Sequence, residues 1–245
     1  VRSKTPRRSA EDGLSMEPAA AGAVAKGLPE ATLERLTVYL RVLHVAEGEG
    51  KDNLASADFA RAAGVNSAIL RKDLSLLGGT FGRRGVGYDV RGLAEHLATT
   101  LGLRQQWRVA IVGTGNLGRA LAGYAGLRNH GFQLAALFDS DPHVVGRVVN
   151  SLPVRSADTL EEVIGEHGVN MAIMTIPGPD AQVMCDRLVA AGVRNILNFA
   201  PVVLQAPEGV NVRKVDMSRE LQILAYYAHQ GIGYQDAVPA EDADA

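Results

Sequence analysis

The sequence predicts an α/β protein in two parts, a small helical module carrying a hairpin and a larger domain built on a parallel sheet. Three stretches predict it. Val109-Ala110-Ile111-Val112, an apolar run suited to a buried parallel strand, enters Gly113-Thr114-Gly115-Asn116-Leu117-Gly118, a G-x-G-x-x-G turn. Upstream, two short helical patterns are separated by a turn containing Gly64. Behind them, Gly78 to Tyr88 sets five glycines around Arg83 and Arg84, the composition of a hairpin. The layout expected is a winged helix-turn-helix domain over residues 29–91, a connecting helix over 92–107 and a Rossmann-type domain over 108–215. One more helix follows in 216–233, and residues 1–28 and 234–245, which lack periodicity, are expected to be disordered tails.

Composition narrows the classes. Of the 245 residues 47% are hydrophobic and 21% charged, ordinary for a globular chain. No apolar run is long enough to span a bilayer, and the N-terminal stretch lacks the apolar core of a secretory signal. One cysteine, Cys185, excludes an internal disulfide framework and suits a reducing cytoplasm. The net charge of −2 divides into +3 over residues 1–91 and −5 over 92–245, which permits a nucleic-acid-binding first part without demanding one.

In the first part, Leu33, Leu36, Leu40 and Leu43 mark one face of a helix from Pro29 to about Glu47. Gly48 to Asn53 reads as a polar loop. Ser56 can cap a short helix through Ala63, and Asn66 or Ser67 a third through Leu77. In the third, Ala68 or Ile69, with Leu70, Leu74 and Leu77, face inward. Ser67, Arg71, Lys72 and Ser75 fall on the other side, where two cations and two hydroxyls suit phosphate and base-edge contacts in a major groove. Arg83 and Arg84 at a hairpin tip suit a narrow A·T-rich minor groove. Leu93, Leu97 and Leu101 mark the connecting helix, and Trp107 anchors the second domain.

In the second part the loop glycines have separate tasks. Gly113 allows the tight turn, Gly115 lets a pyrophosphate approach the backbone, and Gly118 lets helix and strand pack closely. Asn116 and Leu117 open the following helix, whose main stretch runs from Arg119 to His130 before Gly131. The strand Leu134 to Phe138 ends in Asp139, where a carboxylate can accept both ribose hydroxyls and select NAD(H) over NADP(H), with Ser140 beside it. Asp141-Pro142 begins another helix, and Asp158 with Glu161 forms a capping box for Leu160–His167. Strands Met171–Ile176 and Ile196–Phe199 flank a helix from Asp180 to Ala191. Pro177 and the turn Asn198-Phe199-Ala200-Pro201 are expected to line the pocket begun by Gly113, with Tyr124 near the nicotinamide. Ser218 to His229 is the last helix, its Leu221, Leu224 and Tyr227 stripe read as packing.

A catalytic set is not evident. His130, His167 and His229 sit at expected helix ends, and no Tyr-x-x-x-Lys pair is present. Cys185 has no metal-ligand spacing around it, so no metal site is expected. These features favour a sensor over the alternative, an NAD-dependent oxidoreductase with an N-terminal dimerisation domain.

Several motifs in one order then resemble the Rex family of redox-sensing transcriptional repressors, over roughly Pro29 to Gln230. They are Tyr39-Leu40-Arg41, Leu70-Arg71-Lys72-Asp73-Leu74-Ser75, Arg84-Gly85-Val86-Gly87-Tyr88 and the glycine loop, then Asn198 to Leu204 and Val215-Asp216. The resemblance implies a homodimer with swapped C-terminal helices and NAD(H) bound near the dimer axis. It also implies repression of respiratory or fermentative genes at palindromic operator DNA, relieved by NADH. One stretch departs from the family: Leu77 to Gly85 carries an extra residue near Gly79-Thr80 and lacks the usual first aromatic.

Overall fold

A computed structural model describes residues 27–78 and 81–232. Most of the expected N-terminal tail, the acidic C-terminal tail, and the Gly79-Thr80 insertion lie outside the described residues. The chain divides into two compact units between Leu97 and Ala98.

In the first unit, helix α1 (Glu30–Gly48) buries Leu36, Leu40 and Leu43 of the stripe its leucine spacing marked, with Tyr39 added, while Leu33 near its start is exposed. Strand β1 (Asn53–Leu54) lies where the sequence suggested only loop. Two residues carry too little periodicity to register, and the strand exists because it pairs with β3. Helix α2 (Ser56–Ala62) starts at Ser56, which is therefore inside the helix and not its cap; its hydroxyl makes no hydrogen bond. Helix α3 (Ser67–Ser75) is capped by Asn66, whose side chain accepts from the Ile69 N–H at 2.8 Å. It stops two residues short of Leu77, and of the expected inward residues Leu70 and Leu74 are buried while Ala68 is exposed. Strands β2 (Gly82–Arg83) and β3 (Gly87–Asp89) form the hairpin, in the order β1-β3-β2. Helix α4 (Val90–Thr100) begins two residues earlier than expected and ends two short of Gly102, where the leucine spacing placed its end within the connecting segment; Leu93 and Leu97 are buried.

In the second unit, seven strands among the described residues form one sheet in the order β10-β9-β8-β4-β5-β7-β6. These are β4 (Trp107–Val112), β5 (Phe132–Asp139), β6 (Val148–Val149), β7 (Leu152–Ser156), β8 (Met171–Met174), β9 (Asn195–Asn198) and β10 (Asn211–Lys214). All neighbours are parallel except β6 with β7. Alternate residues serve opposite faces. Ala110 and Val112 of β4 join a core with helices α7 (Leu160–His167) and α8 (Gly178–Ala190), while Val109 and Ile111 join another with Leu121, Ala122 and Leu127.

Four expectations are corrected here. The single helix from Arg119 to His130 is two, α5 (Asn116–Ala122) and α6 (Ala125–Asn129), broken at Gly123-Tyr124, where Tyr124 takes an extended backbone. Asp141-Pro142 opens no helix. The Asp141 carboxylate and carbonyl close a local turn onto His143, Val144 and Val145, and Gly146 (φ +86) leads into the β6–β7 hairpin. That hairpin turns on Asn150 (φ 47) and Ser151 (φ 66), the left-handed pair a tight two-residue turn requires. Asp158 caps nothing: Ser156 accepts its N–H and caps a 3₁₀ turn (Ala157–Thr159) ahead of α7, while Glu161 turns to Arg187. Finally, helix α9 (Met217–Gln230), capped by Asp216, contains no buried residue: among the described residues Leu221 and Leu224 of the expected stripe stay more than half exposed, and only Tyr227 is half-buried.

Candidate functional site

The β4–α5 turn sits where the strand order reverses, with β5 on one side of β4 and β8 on the other. In open α/β sheets ligands bind at this point. The loop is tied to both neighbours. The Gly113 N–H donates to the Phe138 carbonyl at 2.8 Å, and the Thr175 hydroxyl donates to the Gly113 carbonyl at 2.6 Å. Gly113 takes φ +94, and a Cβ there would press on Thr175 O and Ile176 at 2.8 Å. A Cβ at Gly118 would collide with the Gly113 carbonyl oxygen, whereas one at Gly115 would meet nothing within 4 Å. The loop therefore closes through Gly113 and Gly118 and stays open at Gly115, where a ligand can approach the backbone.

Asp139, at the end of β5, is bound to that loop. Its Oδ2 accepts from both the N–H and the hydroxyl of Thr114 at 2.7 Å, and Oδ1 accepts from the Asp141 N–H at 3.0 Å. Burial pushes its carboxyl up, but the hydrogen bonds from Asp141, Thr114 and Ser140 outweigh it and hold it below the usual carboxylate range. At least three of roughly four acceptor positions are thus taken inside the chain. Asp139 is first an anchor for Thr114, and fewer of its lone pairs face the cavity than the spacing suggested.

A cavity of about 830 Å³ opens beside the loop, within the size range of nucleotide sites. Gly113, Thr114, Gly115, Asp139, Ser140 and Pro177 line it as expected. Asn116, Leu117 and Gly118 form the start of α5 behind them. Tyr124 is not brought there; it borders a separate hollow with Leu127, Arg128 and Asn150. The Asn198–Pro201 turn does not line the cavity either. Asn198 is buried, donating to the Val202 carbonyl at 3.0 Å and accepting from the Ala200 N–H at 2.9 Å, so it shapes the turn. Ala200 is buried, Pro201 is exposed, and Phe199 packs with the α5 face of the sheet. Arg119, Asp158 and Arg187 line the cavity without having been expected there. Only Arg119 had a sequence signal, standing directly after the last loop glycine.

In the first unit, Arg71, Arg83 and Arg84 border one groove of about 470 Å³, together with Ser56 and Tyr88. Arg71 Nε donates to the Ser67 carbonyl at 2.9 Å, and the Ser75 hydroxyl to the Lys72 carbonyl at 2.6 Å. Arg71, Lys72 and Ser75 are exposed, Ser67 is half-buried, and the Asn66 side chain is committed to its cap. The wing is braced from α4: His96 Nε2 lies 3.2 Å from the Leu77 carbonyl, and its ring packs on Phe81 with centroids 4.5 Å apart. Asp73 is the residue that sequence reasoning missed. It is a buried carboxylate on α3, a position assigned to neither face of the helix from its spacing. Burial raises its carboxyl, and hydrogen bonds from Arg35 and Tyr39 overcome this to leave it lowered.

Two family models match this chain, a putative DNA-binding protein N-terminus over residues 27–75 and a CoA binding domain over residues 104–202. The redox-sensing transcriptional repressor Rex of Streptomyces coelicolor is 52% identical over 86% of this chain and 82% of its own length. That of Streptomyces griseus is 51% identical over 89% and 86%, and that of Desulfitobacterium hafniense 45% over 81% and 94%. The chain belongs to the Rex family of redox-sensing transcriptional repressors. Among solved structures, a Rex-family repressor in complex with NAD⁺ and operator DNA superposes with a TM-score of 0.79 at 32% identity, over 84% of this chain and 94% of that one. The same repressor with NADH gives 0.75 at 31%, over 84% and 96%. In this Rex-family chain the two model matches fall on different units, and the hairpin and α9 lie outside both.

Proposed function

We propose that this chain is an NADH-responsive transcriptional repressor that binds operator DNA as a homodimer and releases it when NADH binds. The observation that carries the reading is the presence on one chain of an arginine-bordered groove beside α3 and a glycine-loop cavity anchored by Asp139. Gly115 leaves room for a pyrophosphate at the start of α5, and the Asp139 charge disfavours a 2′-phosphate. NAD⁺ and NADH share those phosphates, so discrimination arises at the nicotinamide ring, cationic when oxidised and neutral when reduced. Ile176 and Pro177 offer apolar surface that suits the neutral ring, while Asp158 and Asp180 in the same lining can pair a cation, so the preference is set by which of these the ring meets.

The dimer reading rests on α9. Met217, Leu221, Leu224 and Tyr226 are each more than half exposed, and a helix of this length alone in water is marginal. A second copy that receives the helix by exchange would cover them. On this reading the genes controlled are respiratory or fermentative, the chain works in the cytoplasm where the chromosome is, and it turns over no substrate. No helix among the described residues is long and apolar enough to cross a membrane.

The test is a titration of NADH with and without saturating operator duplex at one salt concentration. A coupling of roughly 1–3 kcal/mol changes each affinity about 5- to 150-fold, and the two effects must be equal. Identical NADH dissociation constants would leave two binding units and no switch. Steady-state NADH oxidation across small carbonyl compounds tests the enzymatic alternative.

A further inference from the structure

Tyr39 and Asp73, both within motifs of the family resemblance, meet in the middle of the first unit, remote from the cofactor loop in sequence and turned away from the cation face of α3. The Asp73 side chain is 2% exposed. Arg35 donates to it twice, Nε to Oδ2 at 2.6 Å and Nη2 to Oδ1 at 2.8 Å. The Tyr39 hydroxyl donates to Oδ2 at 2.7 Å, and the Thr32 hydroxyl to Oδ1 at 3.4 Å. All three partners stand on α1.

A pair like this is a poor way to gain stability, because taking the Asp73 carboxylate out of water is costly and the attraction to the partly exposed Arg35 offsets that only in good geometry. As a way to set geometry it is strong. Helix α3 has nine residues and, besides Asp73, buries only Leu70 and Leu74. Leucine contacts are non-directional, so they hold a short helix down without fixing its rotation about its own axis. A bidentate guanidinium–carboxylate pair is planar and directional, and a phenol hydroxyl from a further side removes the remaining freedom. At roughly 100° per residue, Arg71 points about 160° away from Asp73. Whatever fixes Asp73 inward therefore aims Arg71 outward. The same pairing cancels a negative charge that would otherwise lie one residue from Lys72, on a helix meant to meet phosphates.

We propose that Asp73, held by Arg35 and Tyr39, is a positioning residue for operator recognition: it sets the rotation of α3 and thereby aims Arg71 and Lys72, without touching DNA. The inference rests on the repressor reading above and adds to it the device that orients the reading helix.

The experiment uses the full chain and the duplex it enriches from a random-sequence library, with a scrambled duplex as reference, by fluorescence anisotropy over a salt series. Wild-type chain without preference between the two duplexes would sink the repressor reading itself. Given that preference, Asp73→Asn is expected to lose roughly 10-fold in operator affinity, comparable to one base contact. Its operator-to-scrambled ratio should fall while its NADH affinity stays unchanged. Arg71→Ala made in the Asp73→Asn background should cost less than half of what it costs alone, because a misaimed arginine has little left to lose. A merely structural role predicts additive losses instead. Tyr39→Phe removes one hydroxyl, keeps the fold, and should lower the operator-to-scrambled ratio about 3-fold in the same direction. Wild-type selectivity in Asp73→Asn, or additivity with Arg71→Ala, overturns the inference. If Asp73→Asn does not fold, Tyr39→Phe decides: a reduced ratio supports it and an unchanged ratio overturns it.

Discussion

Asp139 and Asp73 each tie a working element to the body of its unit. Asp139 is held by uncharged donors, the N–H and hydroxyl of Thr114 and the N–H of Asp141, and it borders the cavity. Asp73 is held by the Arg35 guanidinium and closed off from solvent. The first carboxylate keeps its charge where a ligand can feel it. The second has its charge cancelled on the spot, and the face of α3 beyond it stays cationic. A carboxylate meant to act on a ligand can be fixed by dipoles, whereas one placed beneath a DNA-facing helix has to be neutralised by a full charge.

The contrast can be broken most severely at the loop Asp139 serves. Gly118→Ala should abolish measurable NADH binding, more than about a 100-fold loss, because its Cβ would collide with the Gly113 carbonyl and crowd the Thr175 hydroxyl that holds it. Gly115→Ala should leave the melting temperature unchanged and still cost about 10-fold in NADH affinity, since the space it fills is a ligand's and not the chain's. Calorimetric titration beside thermal melts separates the two, and equal behaviour would show that Gly115 does not face the pyrophosphate.

Asp139 itself sharpens the comparison by separating anchoring from charge. Asp139→Ala frees Thr114 and should weaken NADH about 10-fold while narrowing the preference over NADPH. Asp139→Asn keeps an acceptor for Thr114, so NADH should stay within about 3-fold while the preference narrows as far. Unchanged affinity for both cofactors in the alanine variant would remove Asp139 from the site. On the DNA side, Arg71→Ala or Lys72→Ala should leave NADH binding intact and reduce the salt slope by about one unit if the contact is to a phosphate. Unaltered operator binding in both would reject α3 as the reading helix.

The smallest effect is acid titration of the Asp73 pair. Its folded-state carboxyl lies below the ordinary value, so its contribution is complete above about pH 4 and is lost as the pH falls through the lowered value. The difference in urea stability between wild type and Asp73→Asn should therefore be constant from pH 7 to about pH 5 and shrink below pH 4. A difference that grows on acidification would contradict a charge-paired Asp73.

Local signals carried much of this protein. The apolar run into Gly113 and Gly115, the stop at Gly131, and the Asn66 cap are set by residues within a turn of one another, and such interactions survive in a sequence read alone. The glycine-loop half of the cavity was legible for that reason, as was the arginine pair of the hairpin. Tertiary structure decided the rest. Asp73 stands on a helix of polar composition and becomes buried only because Tyr39 and Arg35, 34 and 38 residues away, come to meet it. β1 and β10 are strands because β3 and β9 offer them partners. Tyr124 breaks a helix whose periodicity continues through it, and Asn198 uses its amide to shape its own turn. In each case the deciding group is far along the chain, and the energy that settles the matter exists only once the backbone has brought it within hydrogen-bonding distance.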